Sequence, residues 1–80
     1  MTNVKTIHCQ AKDNTGTQVF DLQLEGKKHK LDLIRQAITA IQETGGTIRY
    51  QETGAGSWAK YRVMIGQDFA VQDQEIYWDE

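Results

Sequence analysis

"IQETGGTIRYQETGAGSW", residues 41 to 58, decides how the chain is laid out, because the tetrapeptide QETG occurs in it twice, at 42–45 and 51–54. Before the first copy, Leu31, Ile34, Ile38 and Ile41 fall three or four apart, with Leu33, Ala37 and Ala40 beside them. That spacing predicts an amphipathic helix over about residues 29–44. Gly45 or Gly46 should close it, since glycine takes the left-handed conformation without a steric penalty. The first QETG is then a last helical turn. The second lies between "TIRYQ" and "SWAKYRVMI", two strand-like runs, and reads as the turn of a hairpin.

Hairpin register follows from the apolar pattern. A four-residue loop at Thr53 to Gly56 places Glu52 opposite Ser57, Tyr50 opposite Ala59 and Ile48 opposite Tyr61. Ile48, Tyr50, Ala59, Tyr61, Val63 and Ile65 then share one face, and a one-residue slip would scatter them over both. The other face collects Arg49, Gln51, Trp58, Lys60, Arg62 and Met64.

Upstream, "VKTIHCQA" alternates with Ile7, Cys9 and Ala11 on one side, "KDNTG" has turn chemistry, and "TQVFDLQL" resumes alternation with Phe20, Leu22 and Leu24 inward. These form a second hairpin. At the helix start, Lys27, Lys28 and Lys30 cluster where the helix dipole prefers acids, so either the helix begins near residue 29 or "KKHK" is a loop and Asp32 the cap. The expected architecture is a two-layer α+β fold of ββαββ order. A single helix packs on a four- or five-stranded, mostly antiparallel sheet, an order shared with ubiquitin-like β-grasp folds. Residues 67–80, "QDFAVQDQEIYWDE", form an acidic aromatic C-terminal segment that could add an edge strand or lie across the core.

Eighty residues suit one small domain, and its 39% hydrophobic and 25% charged residues are typical of soluble globular chains. The longest apolar run, Val63 to Ile65, is far short of a membrane span, and "MTNVKTIHCQ" has no secretory pattern, so a cytoplasmic address is expected. A net charge of −2 argues against general affinity for nucleic acid. That charge is unevenly spread. Residues 1–30 hold five Lys against three acids, whereas residues 61–80 hold Arg62 against Asp68, Asp73, Glu75, Asp79 and Glu80.

Catalytic chemistry has little footing here. Gly54 and Gly56, with Lys60 nearby, lack the Gly-Lys pair and following helix of a phosphate loop. His8 and Cys9 are adjacent on a strand and point to opposite faces, so one does not activate the other, and Cys9 reads as a small buried hydrophobe. His8, His29 and Cys9 do not make a four-ligand zinc set. Neither a catalytic residue, a metal nor a cofactor is expected.

Two surfaces remain. Glu75, Tyr77, Trp78, Asp79 and Glu80 interleave aromatics with acids, as a contact for a protein partner with a basic surface would. Alternatively, Ile76 and Trp78 complete the core. Arg49, Trp58, Lys60 and Arg62 form a second patch on the outer sheet face, suited to a protein partner or to stacking single-stranded nucleic acid, unless the acidic tail covers them. Exposed sheet edges leave a homodimer open.

The junction "IQETGGTIRY" resembles the helix, Gly-Gly, strand junction of the small linker domain of phycobilisome proteins, which implies a structural or linker subunit of a larger complex. No residue roles carry over, because the hairpin that follows departs from that family. In size and charge the chain resembles the small inhibitors that phages encode against bacterial defence systems, including anti-CRISPR proteins. That resemblance implies a non-enzymatic inhibitor occupying a basic surface on its target.

Overall fold

The structure, a computed structural model, describes residues 6–26, 29–52 and 57–78. Strands β1 (Thr6–Asp13) and β2 (Gln18–Glu25) precede helix α1 (Lys30–Ile41), and β3 (Gly46–Glu52), β4 (Ala59–Val63) and β5 (Val71–Gln72) follow it. The fold is α+β, one helix on a five-stranded sheet ordered β2-β1-β3-β4-β5, and every pairing is antiparallel. Of the four- and five-stranded forms expected, the five-stranded one is found, with the short β5 following the ββαββ order.

Its chain order also did not fix the spatial order. β1 sits between β2 and β3, and its inward residues lie under the helix: Ile7, Cys9 and Ala11 are fully buried. β2, with exposed Asp21, Gln23 and Glu25, tolerates an edge. Leu33, Ala37, Ile38 and Ile41 of the helix close on β1 together with Ile48 and Val63, while Phe20, Leu22, Leu24, Tyr50 and Tyr61 pack around them.

The β3–β4 register is the one that the apolar pattern predicts, with Tyr50 opposite Ala59 and Ile48 opposite Tyr61. The loop that was expected to set it, Thr53 to Gly56, lies outside the described residues. Tyr50 and Tyr61 stack at 5.8 Å on the helix side. Burial, with a hydrogen bond to Tyr50, pushes the Tyr61 phenol up to about 12.

Three local expectations need correction. The helix is bounded by His29, which makes no side-chain cap bond, so Asp32 is not the cap and lies in the first turn. Leu31 is 67% exposed rather than inward, since Leu33 and Ile34 already span the side facing the sheet. Ile65 is 70% exposed because β4 ends at Val63 and the chain turns through Gly66, whose N–H donates to the Gln42 carbonyl at 2.8 Å.

The first QETG does close the helix. A turn at 42–44 leads to Gly45, whose φ of +74° lets its N–H return to the Ile41 carbonyl at 2.6 Å. Gly46 has another reason to be glycine: a Cβ there would sit 2.1 Å from the Lys12 carbonyl oxygen. The second glycine thus lets β3 close on β1.

Candidate functional site

The sheet face away from the helix carries the candidate residues. Successive pairings set Gln10 beside Arg49 and Arg49 beside Lys60, and in the next row Lys12 beside Thr47 and Thr47 beside Arg62. Arg49, Lys60 and Arg62 thus share one face, as the hairpin register required. This face is not open, however. The C-terminal segment crosses it, and Arg49 is only 6% exposed.

Asp73 begins the crossing. Its backbone N–H donates to the Lys60 carbonyl at 2.9 Å, one carboxylate oxygen accepts from the Glu75 N–H at 3.1 Å, and the other pairs with Arg62 at 3.2 Å. The Lys60 ammonium then donates to the Ile76 carbonyl at 3.1 Å. Trp78 arrives with its ring 4.7 Å from the Arg49 guanidinium and 4.7 Å from the Lys12 ammonium, and Trp58 lies 4.0 Å from the same guanidinium. Such cation–aromatic contacts gain strength where water is excluded. Ile76 is 5% and Trp78 9% exposed, so both complete the packing rather than offering themselves to a partner.

From beneath this cover a polar chain runs out to exposed Asp21 on the edge strand. Arg49 Nε donates to Gln10 at 2.7 Å, Gln10 reaches Asp21 at 3.4 Å, and His8 Nε2 meets Asp21 at 2.5 Å. The hydrogen bond from His8 leads the causes holding the Asp21 carboxyl below its ordinary value, with Gln10 and Arg49 adding to it. The ring of His8 also tilts against Trp58 at 5.4 Å. A buried guanidinium is costly unless its donors are met; Gln10 meets Nε, and among the described residues no buried side-chain nitrogen or oxygen lacks a hydrogen-bond partner.

Of the proposed partner-binding residues, Glu75 and Tyr77 are exposed, Tyr77 at 84%. Arg62 is exposed while paired with Asp73, and Trp58 and Lys60 are half-buried. Asp79 and Glu80 lie outside the described residues, as do Gly54 and Gly56. Asp73, Gln10 and Asp21 were missed as organisers of this region. Asp73 itself, a residue whose carboxylate can accept from the backbone N–H two positions on in an Asx turn, could have marked the first. Val71, Met64 and Phe69 were not singled out as binding residues, yet each is more than half exposed.

Cys9 is fully buried, its Sγ 3.9 Å from the Leu33 carbonyl, and burial pushes the thiol up to about 12, which suppresses the reactive thiolate. Among the described residues no three His, Cys, Asp or Glu side chains gather as a metal-ligand group. Among the same residues no helix is long and apolar enough to cross a membrane.

An α+β sheet strapped by its own C-terminal segment is the class that fold and site define. Compared with protein-family models, curated proteins and solved structures, the chain matches none.

Proposed function

We propose that the chain is a non-enzymatic protein-binding module whose contact surface is the segment from Met64 to Tyr77, offered to a partner with a basic surface. One observation carries this reading. Met64, Ile65, Phe69, Val71 and Tyr77 are exposed in a stretch whose only charges are Asp68, Asp73 and Glu75, while elsewhere among the described residues only Val19 and Leu31 are large apolar side chains left exposed. Exposed apolar anchors with carboxylates around them favour a cationic partner.

The segment is held in place for that role. Gly66 is bonded to the helix end, Gln67 to Met64, and Asp73 to β4. A pre-ordered surface loses little entropy on binding. In this reading Met64, Ile65, Phe69, Val71, Glu75 and Tyr77 make the contact, joined by the carboxylates of Asp79 and Glu80 that follow in the sequence, whereas Trp78, Arg49, Trp58, Lys60 and Arg62 hold the segment. Its more particular form is a cytoplasmic, phage-type inhibitor of a bacterial defence system, similar to anti-CRISPR proteins, that occupies a basic surface of its target.

The test is affinity capture from the native host, followed by titration of the captured protein against variants. Binding should weaken with salt and fall about tenfold or more for Tyr77→Ala combined with Phe69→Ser, changes outside the core. Equal affinity for that double variant would overturn the reading.

A second reading rests on Lys60, Arg62 and Trp58 lying on one face: a single-stranded nucleic-acid site revealed when the C-terminal segment lifts. It predicts oligonucleotide binding, steeply weakened by salt, in a chain truncated after Gln72.

A further inference from the structure

β2 is an edge strand of eight residues, Gln18–Glu25, with β1 as its neighbour and the other long edge of the sheet capped by the two-residue β5. Edges of this length are usually blunted by lysine, proline or a bulge. β2 contains neither lysine nor proline. Its irregularity is confined to one end, where the register shifts between Ala11 and Lys12 and Val19 is left without a partner on β1. Among the described residues, Phe20 to Glu25 therefore offer a regular run of edge that no other strand pairs.

That run is self-complementary in one antiparallel register. Centred on Leu22, it sets Leu22 opposite its own copy, Phe20 opposite Leu24 and Asp21 opposite Gln23. Shifted two residues toward Glu25, the pairing would face Asp21 with Glu25, and centred on Asp21 it would face that carboxylate with itself. Shifts by an odd number put the second helix on the opposite side of the sheet and mix apolar with polar residues. Of the even registers that pair five residues of the run, the Leu22-centred one, which pairs Phe20 to Leu24 and leaves Glu25 facing Val19, alone keeps the acids apart, and it holds both helices on one side. It also extends the row of half-buried Phe20, Leu22 and Leu24 beside the helix, where Phe20, Arg35, Gln36, Thr39 and Ala40 line an open groove.

We infer that β2 is the interface of a two-fold homodimer, in which two sheets join edge to edge through this register. A closed isologous contact of this kind uses up the edge and leaves the C-terminal segment of each copy free.

Sedimentation velocity of the full chain over rising concentration tests the inference. The expected result is a monomer–dimer equilibrium that responds with opposite sign to two substitutions at exposed Gln23, both leaving the circular dichroism spectrum unchanged. Gln23→Asp sets carboxylates against Asp21 at two symmetric places and should weaken the dimer by about three- to tenfold, whereas Gln23→Lys should tighten it by a similar factor. A chain monomeric throughout, as it would be if this edge received another protein's strand, overturns the inference. So does a dimer indifferent to both substitutions.

Discussion

The Arg49 guanidinium carbon sits 4.7 Å from the centre of the Trp78 ring, which joins the middle of the central hairpin to the last described residue of the chain. Trp58, Lys12 and Gln10 converge on the same pair. The C-terminal segment is thereby part of the packing, and only the side chains that point away from it remain for a partner.

Adjacent substitutions should therefore behave oppositely. Trp78→Ala removes a buried ring and two cation contacts and should cost about 3 kcal/mol in urea denaturation. Tyr77→Ala removes an 84% exposed ring and should stay within about 0.5 kcal/mol of the parent. Equal losses for the two would show that the segment does not pack as described.

Gly46 and Gly16 should separate close approach from backbone preference. A Cβ at Gly46 would meet the Lys12 carbonyl oxygen at 2.1 Å and the Asp13 Cα at 2.9 Å, both main-chain atoms that move only if β1 and β3 part. Gly46→Ala should cost about 1–3 kcal/mol by thermal denaturation. Gly16, at φ +86° with nothing within 4 Å of a Cβ, carries only the left-handed penalty, and Gly16→Ala should cost about 1 kcal/mol.

Acid should loosen the fold through two carboxylates. The Thr15 hydroxyl, with the amides of Thr15, Thr17 and Gly16, holds Asp13 below its ordinary value, and the His8 hydrogen bond does the same for Asp21. A depressed folded-state pKa means that the unfolded chain binds the proton first, so this stability is present above about pH 4 and is lost as pH falls through the folded values. Urea midpoints should fall between about pH 5 and pH 2, and Asp21→Asn should flatten the fall.

Most of the local structure was legible in the sequence. Helical spacing from Leu33 to Ile41 marked α1, Gly45 marked its end, and alternation in "TIRYQ" and "AKYRV" fixed a register that needs no knowledge of the other strands. Leu31 and Ile65 misled because periodicity assigns a residue to a stripe or a face without showing where the opposing layer ends. The candidate site was half legible. Arg49, Trp58, Lys60 and Arg62 could be placed on one face, but their cover by the acidic tail stood only as one alternative, since Asp73 reaches Arg62 and Trp78 reaches Lys12 and Arg49 across long stretches of chain.

The sequence by itself determined α1, the four longer strands, the β3–β4 register and the task of the first QETG, which ends a helix; the hairpin turn expected of the second copy lies outside the described residues. These depend on spacing and on glycine, both local. Only the tertiary structure decided that β1 lies between β2 and β3, that Arg49 and Trp78 are buried, and that Tyr77 is not. Those outcomes turn on which surfaces are excluded from water together, and neighbours in space, not neighbours in the chain, settle that.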